Sequence, residues 1–365
     1  MLLLFVLAKL CDHRWKTEDI LPTITIVLTV HNEEKLIAKR LDNLLAQDYP
    51  SQSFDILVAS DGSTDKTNSI VESYCVKHKQ ITLQKTCGGG KSTTQNKVIP
   101  LAMGEIIILT DAGTRFEKTT LRQLVRCFAD NRIGCVVGRL ILTPESSGSV
   151  AESQGIYWKF EMALRKLESK IGIMHTASGQ IMAFRKVLFV PFDSQYGDDC
   201  IVPLDILGQG YFVVHEDQAV AYDTFPSTLK GELQARIRMT LRNITCTFSR
   251  YFLLDPFRYP LLSIAIISHK LLRWFTPFFM IILFLTNIFL LFHSSFFLLL
   301  ASAQCLFYLC ALIGFITERS GIRLPIVSQI FSFVLANIGF FLGVIKALAG
   351  KRITSYRNEQ SCPGA

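Results

Sequence analysis

The chain has 365 residues, half of them hydrophobic, and its 38 lysines and arginines against 30 carboxylates give a formal net charge of +8. That length allows one large domain with a full core and leaves a further segment over. The positive balance suits a membrane surface or an anionic nucleotide; no basic stripe with interleaved aromatics, helix-turn-helix or zinc-finger spacing is present, which argues against nucleic acid as a partner.

The apolar residues are unevenly spread. Up to about Tyr259 the chain reads as a soluble α/β domain, and beyond it as lipid-facing helix. Lys270, Arg273, Lys346, Lys351, Arg352 and Arg357 flank the apolar segments, a placement that suits the cytoplasmic face of a membrane. None of the ten cysteines forms a C-x-x-C pair, and most lie in apolar runs, as reduced core thiols do.

Residues 1–20 open with "MLLLFVLAKL", too short to cross a bilayer and without the basic start of a signal peptide. The stretch reads either as an interfacial anchor or as the tail of a longer helix. Residues 21–250 alternate strand and helix signals. "ITIVLTV" is a β-branched run expected to be a buried strand. A helix is expected from Glu33, with Leu36, Ile37, Leu41, Leu44 and Leu45 along one side. "FDILVAS" is a second strand, and "DGSTDKTNSIVESYCV" turns into a helix with Thr64 or Asp65 as N-cap. "ITLQKT" and "EIIILTD" give two more strands, "TTLRQLVRCFAD" a helix and "CVVGRLIL" a strand. This alternation predicts an α/β fold with a mostly parallel sheet covered on both faces. Next come a polar-aromatic helix, "QGIYWKFEMALRKLESKIG", a turn, "TASGQIMAFRK", an acidic segment, "YGDDCIVPLDILGQGYFVV", and an arginine-rich helix, "LQARIRMTLRN".

Residues 251–274 include "LLSIAIISHKLLRWF", an amphipathic stretch expected to lie in a membrane interface. Residues 275–348 hold three apolar segments, each near the ~20 residues a spanning helix needs. Residues 349–365 are a basic tail expected on the cytoplasmic side. Three crossings would carry that tail to the opposite side from the α/β domain, against the positive-inside tendency. Two or three membrane helices therefore both stand, with the third segment, which bears Gln329, Ser332 and Asn337, the one to be re-entrant or interfacial.

In parallel sheets ligands sit at the carboxyl ends of strands. Asn32, Asp61 and Asp111 each lie at or just past such an end. Asn32 and Glu33 are placed for a nucleoside, or equally for a helix N-cap with an acidic first turn. Asp61, followed by Gly62, is placed for the same ligand or for an Asx-turn. "CGGGKSTTQNK" fails the phosphate-loop spacing because Lys85 stands where a glycine is required, leaving a flexible loop that brings Lys91 near a base or phosphate, or a plain surface turn. Asp111 ends the most hydrophobic strand, a costly place for a charge without a cation. Mg²⁺ takes only one or two carboxylates plus substrate phosphates, so one aspartate suffices. Asp198 and Asp199 are adjacent carboxylates that raise one another's pKa, as a general base needs, or else cap a helix. Arg236, Arg238 and Arg242 lie on one helix, with Arg238 and Arg242 sharing a face, where they clamp a diphosphate or meet anionic lipid. His31, His175 and His215 make no zinc spacing and read as structural; Tyr157 and Trp158 read as core.

The ordered set "VHNEE", "SDGSTD", "GGGK", "TDAGT", "SGQIMAFR", "DD" and an arginine helix, followed by membrane segments, resembles the membrane-bound family 2 glycosyltransferases. It is similar to their bacterial polysaccharide-synthase branch: cellulose, hyaluronan and poly-N-acetylglucosamine synthases. The resemblance implies a Rossmann-like GT-A catalytic domain and inverting transfer from a nucleotide-diphosphate sugar, most often UDP-linked. The acceptor would be a growing polysaccharide or glycolipid at the cytoplasmic face of a bacterial inner membrane. It implies that Asn32, Glu33, Asp61, Lys91, Gly179, Gln180 and Arg236 bind the nucleotide sugar and that Asp111 holds Mg²⁺ or Mn²⁺. It further implies that Asp199, beside Asp198, is the base, and that Arg238 is the arginine of a Q-x-x-R-W motif. Three positions depart from the pattern. His31 replaces an aromatic, Gly113 replaces the second carboxylate of a D-x-D pair, and Ala235 and Met239 stand in the Gln and Trp places. The last change puts processive synthesis in doubt. The rival readings are a polyprenyl-phosphate sugar transferase and a non-catalytic nucleotide-binding membrane subunit.

Overall fold

The computed structural model describes residues 2–10, 15–144, 149–225, 229–320 and 324–352. Eight strands form one sheet: β1 (Ile24–Val30), β2 (Phe54–Asp61), β3 (Ile81–Thr86), β4 (Ile106–Thr110), β5 (Arg115–Phe116), β6 (Ile133–Pro144), β7 (Met182–Arg185) and β8 (Phe212–Phe225). Their order is β3-β2-β1-β4-β7-β6-β8-β5. The helices up to the last strand are α1 (Leu2–Leu10), α2 (Ile37–Leu45), α3 (Thr67–Lys77), α4 (Lys91–Val98), α5 (Thr120–Val125), α6 (Ser149–Lys170) and α7 (Asp198–Gly208). Five more follow: α8 (Leu229–Ser249), α9 (Pro260–Ile266), α10 (Leu272–Leu290), α11 (Ser295–Arg319) and α12 (Pro325–Leu348).

Strands β3, β2, β1 and β4 run parallel, as do β6 and β8. β1 and β4 are aliphatic runs because both faces of the sheet are covered. Along β1, Ile24, Ile26, Leu28 and Val30 join one core and Val27 the other, the period of two that a strand imposes. Val30 pairs with Ser60, and Leu28 with Thr110. This register sets the carboxyl ends of β1, β2 and β4 side by side, with Asn32, Asp61 and Asp111 at one edge.

Two elements differ from the sequence reading. "IMAFR", expected within a turn, supplies β7, which runs antiparallel between β4 and β6. Four apolar residues among turn formers are too few for a period to show. The helix expected from Glu33 starts at Ile37, and Leu36 is left exposed in the preceding turn.

Among the described residues three helices are long and apolar enough to cross a membrane: Pro260–Leu290, Ser295–Glu318 and Pro325–Leu348. The first is continuous, α9 passing through a π turn at Ile267–Leu271 into α10, so the amphipathic stretch and the first apolar segment share one helix. With 31 residues it reaches roughly 46 Å at 1.5 Å per residue, well beyond the ~30 Å hydrocarbon layer. Its polar turn is satisfied by the α/β domain: His269 Nδ1 lies 2.6 Å from Glu168 Oε1, and Arg273 Nη1 donates to Glu161 Oε2 at 3.1 Å. α12 leans on α8. A Cβ added at Gly343 would fall 2.6 Å from Thr240 Cβ, and one at Gly339 2.8 Å from Arg236 Cβ, so glycine permits the close approach. The basic tail past Arg352 lies outside the described residues, as do the side chains of Tyr157 and Trp158.

Candidate active site

At the β1–β2 edge the polar side chains are spent on holding loops. Asn32 has φ 55°, a left-handed conformation that asparagine tolerates better than most residues. Its Oδ1 accepts the backbone N–H of Thr64 at 2.8 Å and of Asp65 at 3.4 Å. Asp65 in turn accepts the N–H of Thr67 at 3.0 Å, but the N-cap of α3 is Lys66, not the expected Thr64 or Asp65. Asp61 accepts the N–H of Gly90 at 3.0 Å and the hydroxyl of Thr94 at 2.9 Å. The glycine loop therefore wraps onto a carboxylate of its own chain, with Gly88, Gly89 and Gly90 all at positive φ. His31 Nδ1 meets the Asp61 carbonyl at 2.6 Å. Glu33 differs from these neighbours: burial and then the charges of Asp111 and Asp65 push its carboxyl up, which sets it in the field of the β4 end.

The β4 edge carries the chemistry. The Lys91 ammonium, at the start of α4, lies 2.8 Å from Asp111 Oδ1 and 3.1 Å from Asp198 Oδ2. Burial opposes its charge, but the two carboxylates outweigh burial and hold its pKa above the ordinary lysine value. Gln95, one turn later on α4, donates from Nε2 to Asp198 Oδ2 at 2.8 Å. Asp198 and Asp199 are the first residues of α7, where the helix dipole favours negative charge. Their surroundings push them apart. Burial raises both, but Lys91 and the Gln95 amide reverse this for Asp198 and hold it below the usual carboxylate range. For Asp199, burial and the neighbouring Asp198 charge prevail over Arg242, Lys91 and Lys270, and its carboxyl is raised. Two adjacent carboxyls divided in this way suit an anchoring anion and a proton acceptor.

"SGQ" supports this pair from below. A Cβ at Gly179 would lie 3.1 Å from Asp198 Oδ1, so glycine lets the carboxylate sit close without being displaced. Gln180 contributes its carbonyl, which accepts the Thr110 hydroxyl at 2.9 Å, latching the loop to the residue before Asp111. On α8, Arg242 donates from Nη2 to the Tyr196 carbonyl at 2.5 Å and to Ser92 Oγ at 3.1 Å, and its charge acts on both Asp198 and Asp199. Arg238 is half-buried one turn earlier. Arg236 is directed elsewhere, pairing with Glu232 at 2.6 Å and lying against Gly339 of α12. The arginine that these contacts bring to the acid pair is thus Arg242. Sequence reasoning placed it on the face of Arg238, as a diphosphate clamp or a lipid contact, and it gave no role to Gln95, although Gln95 is four residues from Lys91 on one helix face.

Residues 25–189 match Glycosyl transferase family 2. Over those residues the chain carries a family 2 glycosyltransferase domain. It is 29% identical to a beta-monoglucosyldiacylglycerol synthase from Nostoc over 184 residues, 49% of this chain and 38% of that protein. It is 24% identical to a poly-beta-1,6-N-acetyl-D-glucosamine synthase from Staphylococcus epidermidis over 224 residues, 59% and 53% of the two chains. The glycosyltransferase thus spans about a third to just over a half of these relatives' length. Its fold follows the Pyrobaculum calidifontis mannosyltransferase PcManGT, solved with GDP-Man and Mn²⁺, at a TM-score of 0.64 and 22% identity over 96% of this chain and 95% of that one. The GT-A fold expected from the motifs is the fold found, and the apolar helices fit a membrane protein.

Proposed function

We propose that this glycosyltransferase moves a sugar, with inversion, from a UDP-linked donor to a hydroxyl of a lipid or growing polysaccharide at the cytoplasmic membrane face. The observation that carries the reading is the divided pair Asp198–Asp199 set against Asp111 through Lys91. Asp199 takes the proton of the acceptor hydroxyl as its oxygen bonds to the anomeric carbon. The bond from that carbon to the diphosphate oxygen breaks, and the nucleoside diphosphate leaves with the electron pair. Lys91 and Arg242 supply positive charge where the leaving group gathers negative charge.

Asp111 is a hard oxygen donor at a strand end, and its side chain is 35% exposed. Among the described residues no three His, Cys, Asp or Glu side chains gather round one point. That donor set fits Mg²⁺ or Mn²⁺ held largely through the nucleotide phosphates, with Asp111 as protein ligand. When bound, such an ion neutralises charge on the diphosphate.

Release of UDP from UDP-GlcNAc, UDP-glucose and UDP-galactose, and of GDP from GDP-mannose, should be measured in membranes containing the full chain, with lipid products extracted. Release with one donor, lost in Asp199→Asn, is expected. Undiminished release in that variant would remove Asp199 from the chemistry. A product on polyprenyl phosphate would move the acceptor from hydroxyl to phosphate.

A further inference from the structure

Gly113 stands where a second strand-end carboxylate is missing from the sequence. A Cβ built there meets one atom at contact distance, Asp223 Oδ1 at 3.4 Å. Asp223 comes from β8, which pairs antiparallel with β5 through Arg115–Tyr222 and Phe116–Ala221. The Thr114 hydroxyl extends this ladder by donating to Asp223 Oδ2 at 2.8 Å. The carboxylate of Asp223 therefore occupies the side of Gly113 toward which a second aspartate would project.

Asp223 is only half-covered by compensating groups. Its oxygens accept from Thr114 and from the N–H of Thr224 at 2.7 Å, and no ion pair to it is found among the described residues. Burial and the charge of Asp111 raise its carboxyl, while Arg40 acts weakly in the other direction. The Arg40 guanidinium is itself committed, to Thr110 Oγ1 at 2.5 Å, to Asn43 Oδ1 at 2.6 Å and to the face of Phe116. Lys91 pairs with Asp111 and not with Asp223, and the Arg40 guanidinium is bonded elsewhere. Two carboxylates held in one another's field, only one of them with a cation in contact, form an arrangement that a divalent ion of the nucleotide relieves.

The geometry points to Asp223 as the carboxylate that replaces the one Gly113 lacks, so that Asp111 from β4 and Asp223 from β8 together seat the divalent ion of the nucleotide diphosphate. This rests on the metal-dependent reading given above and adds a residue to it. The purely structural alternative, a clamp on Thr114, is separable because Asp223→Asn keeps an oxygen acceptor for that hydroxyl while removing the charge.

The test is Mn²⁺ titration of the detergent-purified full chain with UDP present, followed by electron paramagnetic resonance, so that binding is read without turnover. Asp223→Asn is expected to weaken Mn²⁺ by about tenfold or more, the scale of losing one supporting group in a metal site. Adding Gly113→Asp to that variant should restore most of the affinity. Gly113→Asp alone should gain little, because the seat is already filled. If Gly113→Asp alone tightened Mn²⁺ by about tenfold and Asp223→Asn changed nothing, Asp223 would be a clamp and the inference would fall, while the function proposed above would stand. The Gly113→Asp arm decides the matter even if Asp223→Asn does not fold. If Asp111→Asn also bound Mn²⁺ normally, both readings of the metal seat would be lost.

Discussion

Two stretches of one sheet edge, the carboxyl ends of β1 and β2 and that of β4, carry the same residue types and use them differently. At the β1–β2 edge, Asn32 and Asp61 are saturated by backbone N–H groups and hydroxyls of neighbouring loops. At the β4 end, Lys91 bridges Asp111 and Asp198, and Asp199 lies in the field of Asp198. A strand-end carboxylate with its acceptors filled is architecture. One balanced by a single movable ammonium is a place where ligand charge can enter. We read the contrast as chemistry at one end and loop-holding at the other, a division that site variants can test, although sequence position alone gives the two equal weight.

The widest separation should come from Asp199→Asn. Removing a general base costs typically 10²–10⁴-fold in rate, and UDP affinity should change little because Lys91 and Asp111 remain. The variant should also melt no lower than the parent at pH 7. The raised folded pKa of Asp199 means that its ionisation is disfavoured in the fold, so it costs stability at pH above that pKa, and the cost disappears as pH falls through it. Asp198 works in the opposite sense: its depressed pKa contributes stability that is present above the unfolded value and lost as pH falls through the folded one. A pH profile of kcat/KM checks the assignment. Its acid limb should lie above the ~3.9 of an ordinary aspartate, and a limb at or below that value would exclude Asp199 as the titrating base.

Next is Lys91→Met. It removes the ammonium between Asp111 and Asp198 while Gln95 and Arg242 still act on Asp198 and Asp111 stays 35% exposed, so the cost should fall below the ~3–5 kcal/mol of a fully stranded buried charge. A lower melting temperature, partly recovered by Mn²⁺ with UDP, is expected. An unchanged melting curve would mean that the lysine bridge is incidental.

The strands that place these residues were legible in the sequence because an aliphatic run ending in Asp111 has only one comfortable home, a buried strand with its charge at the rim. β7 was not, since it is four residues long and is recruited by β4 and β6 on either side. β5 has two residues and pairs only because β8 returns to it. The acid pair at Asp198 was readable from its own charge, and Arg242 as one of two readings, a diphosphate clamp or a lipid contact, whereas Gln95 and Asp223 were not. Each of these acts on a partner about a hundred residues away in the chain or on another element, and nothing local marks such a meeting. Lys91 was legible as a functional cation but not as a bridge between two carboxylates.

A smaller effect should separate the two stretches from the other side. Asn32→Ala removes acceptors for the N–H groups of Thr64 and Asp65 and forces alanine into the left-handed region, so a loss of about 1–3 kcal/mol in stability is expected. At temperatures where the variant is folded, the transfer rate should stay near the parent's. A rate loss comparable with that of Asp199→Asn would dissolve the distinction between scaffold and site.

The smallest effect concerns the glycine loop, and it tests the comparison at its most literal. Lys85→Gly would write out the full phosphate-loop spacing ahead of Lys91 and Ser92. Lys85 itself lies on β3 at the surface, paired with Glu72 at 2.6 Å while both side chains remain more than half exposed. Losing that pair costs at most about 1 kcal/mol, and glycine within a strand adds about 0.5–1 kcal/mol. Nucleotide affinity should not rise. A phosphate loop works by offering free N–H groups, and here the Gly90 N–H already serves Asp61. The extra glycine frees no donor. Only when Asp61 is also changed to alanine does the loop have an amide to offer, and tighter UDP binding in the double variant than in either single one would show that the carboxylate, not the spacing, closes that route.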